Sequence, residues 1–570
     1  MHRSPTVCQF MGLPAKYLCG SPRDRTWTSL SCGLFAFLVL VVCSTFLHYG
    51  LTYDEVVGRV YGRDIIKWYL SFFKDQSALN YYNLYLYGGF FEAFAQLTAY
   101  IARRILRIDV YEARHLINAL FGLLAIFYTY KLAAHLSGPS AGFFSALFLT
   151  FTPGFYGHIF NNSKDVPFAA LFSAALYCIF RSYKELPRVS IRLTAELAVV
   201  IGLVLGIRIG GIILFLYLTI FWLCWLISRR VKEKLRGHEL LTMAGTIGRS
   251  LIVIVIGAWA IMLVWWPWAQ IAPLKRPYFA MTKTAHFDWP VTVLFNGRFV
   301  PASALPWTYL PTWLFITLPE FYCIALALGF YLAYKSLCSS GKEIHPSGWS
   351  TKIGLLVFAS CFPILAALIL HSTMYDGMRQ FLFILPSLAA LAGVFFAGFL
   401  KSGVHALLKG AIGIPVLLSV SLTIVDMIQL HPYEYVYFNR LFAGGMESAA
   451  KRFETDYWGG SYKEGVEWVI NNYPPHSAEP VRVANCEVPF LIQYFFDKKS
   501  TGRFTVVAPN EEPSVYLAIT RWQCHKMIEG KVLHIVQRKG APLLYVIEAQ
   551  GPYRPERSTK WANPDLVERN

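Results

Sequence analysis

Leu51-Thr52-Tyr53-Asp54-Glu55-Val56-Val57-Gly58-Arg59-Val60-Tyr61 begins where the first long apolar run, residues 33–50, ends. Carboxylates beside hydrocarbon are costly to place, so an acid pair here points to a purpose other than packing. A further acid follows a later apolar run, in Asn161-Asn162-Ser163-Lys164-Asp165-Val166-Pro167-Phe168. If both acids face one side of a membrane, they build one site at its surface. That condition fixes how many apolar runs cross between them, and with it the fold.

The chain has 570 residues, 55% hydrophobic and only 15% charged. A soluble protein would carry roughly 25% charged residues. Apolar runs of about 18 residues or more recur over the first three quarters, which predicts a polytopic membrane protein. The formal charge of +18 invites a nucleic-acid reading. The basic residues, however, collect in short loops between apolar runs, which is an orientation signal, and no nucleic-acid partner is expected. Arg3, Lys16, Arg23 and Arg25 precede the first run. That run is long, and no small-residue cleavage pattern follows it, so residues 1–29 read as a cytoplasmic N-terminus before an uncleaved span. Most of the 11 cysteines lie in or beside apolar runs. Cys486 and Cys524 lie in a polar region and could pair if that region is outside the cytoplasm. No Cys/His spacing of the zinc type occurs.

The expected spans are 33–50, 115–133, 139–156, 166–182, 193–207, 211–228, 249–268, 311–334, 353–371, 380–400 and 408–427, about eleven transmembrane helices. Residues 87–106 are apolar but carry Glu92, Gln96, Arg103 and Arg104, which predicts an amphipathic helix at the interface. With that segment uncrossed, the basic loops at Arg181–Arg192, Arg229–Arg236, Lys335–Lys352 and Lys401–Lys409 all fall in the cytoplasm. The other side then holds 51–114, the Lys164-Asp165 turn, the Arg208 turn, 269–310, the loop 372–378 and the tail. In the tail, 431–570, the helix Gly465–Asn472 and strands Val481–Asn485, Phe504–Val507, Val515–Thr520, Val532–Gln537 and Leu543–Ile547 are expected, with a hairpin at Lys539-Gly540. The expected fold is a polytopic α-helical membrane protein with a small extracytoplasmic C-terminal α/β domain. Residues 30–430 form the membrane domain. The aromatic start of the tail, His431 to Asn439, is expected at the membrane interface.

On the outer face, Asp54 is placed to take a proton from an incoming hydroxyl or amine. Lys164, Arg208 and Arg379 sit at span ends on the same face, and arginine suits phosphate oxygens. Carboxylates with converging cations at a membrane surface fit transfer from a lipid-linked phosphate. Tyr81, Tyr82, Tyr85, Trp289, Trp307, Tyr309 and Tyr375 could stack on a sugar ring or form an interface belt. Each candidate also has a structural alternative. Asp165 before Val166-Pro167 can cap a helix, Glu55 can be a solvated neighbour, and Arg208 and Arg379 can snorkel. His286 is a lone histidine in a loop, and a metal needs several converging ligands.

Four stretches carry a resemblance. They are Tyr53-Asp54-Glu55, Asn161-Asn162-Ser163-Lys164-Asp165-Val166-Pro167-Phe168-Ala169, Gly206-Ile207-Arg208-Ile209-Gly210-Gly211, and Tyr375-Asp376-Gly377-Met378-Arg379-Gln380-Phe381-Leu382-Phe383. In this order, each at an outer span end, they resemble the GT-C membrane glycosyltransferases. The likeness is to the dolichyl-phosphate-mannose-protein mannosyltransferase group (glycosyltransferase family 39) and its bacterial relatives, over about 30–430. The resemblance implies inverting transfer of a sugar from a polyprenyl-phosphate donor to an extracytoplasmic glycan, lipid or protein, in the bacterial inner or plasma membrane. Asp54 would be the base, with Glu55 and Asp165 as further catalytic acids. Lys164, Arg208 and Arg379 would bind the donor phosphate, and His286, Tyr375 and Asp376 would line the donor and acceptor pocket. A divalent cation stays open. The tail does not resemble the sugar-binding insert of the eukaryotic protein mannosyltransferases. The first loop lacks the Glu-Lys pair of the lipid A aminoarabinose transferases.

The main rival is a transporter or flippase of a lipid-linked or small polar substrate. Transporters place polar groups near the bilayer midplane in broken, repeated helices. Here the charges gather at one surface. A non-catalytic assembly subunit would keep the fold and lose the base, and Asp54 argues against that.

Overall fold

A helix that is apolar on every face belongs in lipid or in the middle of a bundle. The computed structural model describes residues 21–555 except 235, 288, 339–348, 475–478, 487, 500 and 501. Residues 1–20 of the expected N-terminus and most of the expected inner loop 335–352 lie outside the described residues. Among those described, 8 helices are long and apolar enough to cross a membrane, or 10 if each of two bent pairs is one span. Their burial sorts them. Asp165–Ser182 and Arg379–Lys401 bury 89% and 83% of their apolar windows, so they are the middle of the bundle. Pro22–Thr45, Gly237–Val264 and Ala406–Leu430 bury 28% or less, so they are its rim.

Ten of the eleven expected spans correspond to these helices or bent pairs. The eleventh, 193–207, is the helix Ile191–Leu205 of 15 residues. At 1.5 Å per residue it rises about 22 Å, short of a hydrocarbon core of about 30 Å. Its Gly202 meets the backbone of Ala258 in the helix Gly237–Val264, a close approach typical of small residues between membrane helices. The bent pairs are Pro139–Thr150 with Pro153–Asn161, at 69°, and Tyr309–Thr317 with Phe321–Lys335, at 106°. A proline marks each break, Pro153 opening the helix after the first and Pro319 lying within the second, and neither can continue a helical hydrogen-bond ladder.

The segment 51–114 holds two helices, Tyr53–Leu70 and Phe90–Leu106. The second is amphipathic, but its polar side faces protein. Glu92 and Gln96 are buried, while Leu97, Ile101, Ile105 and Leu106 are exposed. Glu92 pairs with Arg114 and accepts from the Ser163 hydroxyl at 2.6 Å. The segment 269–310 carries a two-stranded hairpin, β1 (Thr292–Phe295) and β2 (Arg298–Pro301), turned by Asn296-Gly297 at positive φ.

After Leu430 the chain forms a mixed sheet of β3 (Val481–Asn485), β4 (Phe504–Val506), β5 (Val515–Ile519), β6 (Gly530–Arg538) and β7 (Ala541–Ala549), in the order β4-β3-β5-β7-β6. β4, β3 and β5 run parallel, and β7 is antiparallel to both its neighbours. Every residue of the central β5 is buried, which suits its unbroken apolar run. Lys539 and Gly540, both at positive φ, turn β6 into β7. The expected helix is present as Tyr462–Asn472, and two others, Gly445–Ala450 and Phe490–Lys499, were not foreseen. Tyr433, Tyr435, Tyr437 and Phe438 are buried in protein, not spread on an interface. Two of their hydroxyls find carboxylates, Tyr433 on Glu464 at 2.9 Å and Tyr435 on Asp456, which is what a buried tyrosine requires.

Candidate active site

Asp54 is placed by a helix start. Thr52 caps the helix Tyr53–Leu70, and Glu55 three positions on accepts from the Thr52 amide and hydroxyl, each at 2.9 Å. The first turn therefore begins at Tyr53, and the helix dipole favours a carboxylate at Asp54. Its side chain is 24% exposed. Arg379 donates to it at 2.5 Å, and the Lys164 ammonium lies 3.5 Å away. Burial raises the proton affinity of this carboxyl, but Lys164 and Arg379, with Arg208 behind them, outweigh it and hold its pKa well below the usual carboxylate range.

Arg379 is held from several sides. Asp376 contacts it at 3.1 Å, and the rings of Tyr375 and Trp458 lie 5.6 Å and 4.9 Å from its guanidinium. The turn that presents it has Asp376 and Gly377 at positive φ, and the Gly377 amide donates to the Tyr309 hydroxyl at 3.0 Å. Asp376 in turn binds Arg521, from the C-terminal sheet region, at 2.5 Å. Arg208 reaches Asp165 at 2.7 Å, and Asn162 donates to the same carboxylate at 2.9 Å. Lys164 and Arg208 both lie over the Tyr87 ring, at 5.4 Å and 5.6 Å. Tyr87 is kept there because Gly88, lacking a side chain, lets the backbone meet Gly206, and the Phe90 amide donates to the Gly206 carbonyl at 2.9 Å.

These groups surround a cavity of about 540 Å³ lined by Asp54, Tyr87, Lys164, Arg208, Trp289, Tyr375, Asp376, Arg379, Trp458, Arg521 and Trp522, among others. Trp289 and Tyr375 stack at 5.0 Å. A neighbouring groove of about 260 Å³ shares Tyr87, Arg208, Phe287 and Tyr375 with it. Phe168, Ile213, Phe362, Leu370 and Phe381 give this groove an apolar lining. A charged head and an apolar chain on one molecule would fit the two spaces together.

Of the nine residues expected as catalytic, phosphate-binding or pocket residues, Asp54, Lys164, Arg208, Arg379, Tyr375 and Asp376 meet at this cavity. Three do not line it. Glu55 is 2% exposed and spends its carboxylate on Thr52, on Asn161 at 2.9 Å and on His115 at 2.7 Å. Asp165 is buried behind the wall and holds Arg208. His286 is exposed at the end of the helix Lys275–Ala285, and its neighbour Phe287 lines the cavity instead. For a divalent cation the donors do not fit: Asp54 is taken by Arg379 and Lys164, and Asp165 by Arg208 and Asn162. No group of three or more His, Cys, Asp or Glu among the described residues could hold a metal.

Trp458, Arg521 and Trp522 were missed because they come from the far end of the chain. One signal was present. Asp456 precedes Gly459-Gly460-Ser461, and its carboxylate accepts from the Gly459 amide at 2.8 Å and the Ser461 amide at 2.9 Å, with Gly459 at positive φ. An Asp-x-x-Gly-Gly-Ser turn of this kind aims the intervening Trp458.

Among solved structures, the chain is similar to ArnT from Cupriavidus metallidurans bound to undecaprenyl phosphate, at 14% identity and a TM-score of 0.45, over 90% of this chain and 98% of that one. It is also similar to the oligosaccharyltransferase AglB from Archaeoglobus fulgidus in complex with an inhibitory peptide and a dolichol-phosphate, at 12% identity and a TM-score of 0.46, over 87% and 70%. No curated protein matches the chain. The model of the family described as dolichyl-phosphate-mannose-protein mannosyltransferase matches residues 95–259, a stretch that includes Lys164, Asp165 and Arg208. Over that stretch the chain is similar to the membrane glycosyltransferases of the dolichyl-phosphate-mannose-protein mannosyltransferase family, the family that the motifs in its sequence resemble.

Proposed function

We propose that the chain moves a sugar from a polyprenyl-phosphate donor to an acceptor outside the cytoplasm, with inversion and with Asp54 as base. The observation that carries this reading is one cavity in which Asp54, Lys164, Arg208 and Arg379 converge and which continues into an apolar groove. The prenyl chain lies in the groove. The phosphate meets Arg208 and Lys164 near the shared border, with Arg379 beyond. Cations fixed there stabilise the charge that grows on the leaving phosphate, without reorganisation at the moment of reaction. The sugar lies by Trp289 and Tyr375, and an acceptor hydroxyl approaches Asp54 from the face away from the phosphate. Before the donor binds, Asp54 is neutralised by Arg379 and Lys164. A phosphate takes a share of those cations, so the proton affinity of Asp54 rises when a base is needed. The cavity, the C-terminal domain (431–570) and the loops 51–114 and 269–310 lie on the extracytoplasmic side of a bacterial-type plasma membrane.

The test is transfer from defined polyprenyl-phosphate sugars by the purified full-length protein, with mass spectrometry of cell glycans in strains with and without it. A glycan that disappears with the gene and returns with the wild-type chain, but not with Asp54→Asn, supports the reading. Unchanged glycans together with no turnover of any polyprenyl-phosphate sugar overturn it.

A further inference from the structure

A row of side chains alternating in charge runs from the C-terminal domain to Asp54. Arg521 contacts Asp376 at 2.5 Å, Asp376 contacts Arg379 at 3.1 Å, and Arg379 contacts Asp54 at 2.5 Å. The side chains of Arg521, Asp376 and Arg379 are 4%, 4% and 8% exposed, so little solvent screens them from one another. Asp376 stands between two arginines, and each arginine limits how far it can pull on the other. Remove Arg521, and Asp376 is left to pull on Arg379 alone.

Arg521 is itself fixed by more than charge. It donates to the Tyr457 carbonyl, next to Trp458, which covers Arg379. Its guanidinium lies 4.3 Å from the Trp522 ring, and Glu454 is 4.0 Å away. Trp522 donates to the Thr292 carbonyl of β1 at 2.9 Å. Trp522 and Gln523 both have positive φ, an uncommon conformation for side chains of this size. The turn is tied down on its far side by the Cys486–Cys524 disulfide. The same bond pins the segment bearing Val488 and Phe490, which also line the cavity.

We propose that Arg521 is a positioning residue: through Asp376 it sets Arg379 against Asp54, and the Cys486–Cys524 disulfide holds the turn that presents it. The C-terminal domain is then part of the reaction centre. This inference rests on Asp54 being the base, but its geometry can be tested without donor.

The donor-free readout is carbodiimide labelling of Asp54 in the full-length protein, followed by peptide mass spectrometry over a pH series. Carbodiimide consumes the protonated carboxyl. The charged and titratable groups facing Asp54 are Lys164, Arg379, Arg208 and Tyr375. Arg521→Gln leaves Asp376 pulling on Arg379, so Asp54 holds its proton more tightly and labels at least about threefold faster at a fixed acidic pH. Arg521→Lys stays closer to wild type, since it restores the charge without the fork. Cys486→Ser with Cys524→Ser moves labelling in the same direction as Arg521→Gln. A second readout is binding of undecaprenyl phosphate. Arg521→Gln weakens it several-fold in the wild-type background and less than twofold in an Arg379→Ala background, because the effect passes through Arg379.

Unchanged Asp54 labelling in Arg521→Gln overturns the proposal, and so does a binding loss that adds in full to that of Arg379→Ala. If labelling shifts but the wild-type protein does not bind undecaprenyl phosphate, the positioning role stands and the lipid-phosphate reading falls.

Discussion

Asp54 and Glu55 are neighbours in the chain, yet their carboxylates have different surroundings. That of Asp54 lines the cavity between Arg379 and Lys164, and that of Glu55 is sealed against His115 at 2.7 Å. One faces the cavity and the other is committed to holding the helix start. Their substitutions therefore have different consequences.

Asp54→Asn keeps the shape of the side chain and removes the base. Transfer falls by at least about a hundredfold, the loss expected for a positioned base. The protein still inserts and purifies, because the amide oxygen can accept from Arg379. The check is turnover of the purified variant. Activity near wild type would place the base elsewhere.

Glu55→Gln acts on stability. The amide replaces a carboxyl acceptor buried among Thr52, Asn161 and His115, a change worth roughly 1–3 kcal/mol. The melting temperature in detergent drops, while turnover per folded molecule stays near that of the wild type. An unchanged melting temperature with lost turnover would return Glu55 to the chemistry.

Much of this arrangement was legible in the sequence, for a physical reason. Lipid imposes long apolar helices with basic inner loops, so the spans and the sites at their ends stand out. The parity argument brought Asp54 and Asp165 to one face, and in the structure each pairs with a cation of the cavity, Asp54 lining it and Asp165 behind its wall. Two things were not legible. Whether an acid faces the cavity or packs behind it depends on helix phase and partners, so Glu55 and Asp165 could not be told from Asp54. The contribution of Arg521 depends on how the sheet domain docks, a contact between residues 145 apart that no local pattern records. The helix Ile191–Leu205 has 15 residues, the length of the expected run 193–207, with its ends set by Ser190 and Gly206.

Arg379→Ala weakens donor binding. An arginine bonded to phosphate contributes roughly 1.5–3 kcal/mol. Titration with a polyprenyl phosphate reads this as about a tenfold or larger rise in Kd. Arg379→Lys recovers only part, because lysine lacks the two-pronged contact. An unchanged affinity would leave Arg379 as a support for Asp54 alone.

The low pKa of Asp54 fixes the sign of a pH effect. Burial opposes ionisation, but Lys164 and Arg379 overcome it, so the folded value lies below the unfolded one. The pair's stabilisation is complete above roughly pH 4 and is lost as the pH falls through the folded value. In the free enzyme the base form persists through mildly acidic pH, so kcat/KM has no acid limb from Asp54 above about pH 4. Bound donor takes a share of the cations, and the acid limb of kcat lies higher. An acid limb of kcat/KM at higher pH than that of kcat would contradict this order.

The orientation of the chain decides which substrates can reach Asp54. The cavity is built from 51–114, the turns at Lys164 and Arg208, the loop before Arg379 and the C-terminal domain, so these must share a side. The positive-inside rule leads us to expect the basic loops 183–192 and 229–248 on the other. Single cysteines test this in a chain whose native cysteines, apart from the Cys486–Cys524 pair, are replaced. At Ser77 and Ser303, in the first and the long later outer segment, they react with an impermeant thiol reagent in intact cells. At Ser228, near the inner end of the helix Ile213–Glu233, a cysteine reacts only after permeabilisation. Labelling of Ser303 and Ser228 in intact cells with none at Ser77 would divide the cavity's segments between two faces. The joint site of Asp54, Lys164 and Arg379 could not then form, and transfer from a lipid phosphate would lose its base and its cations together.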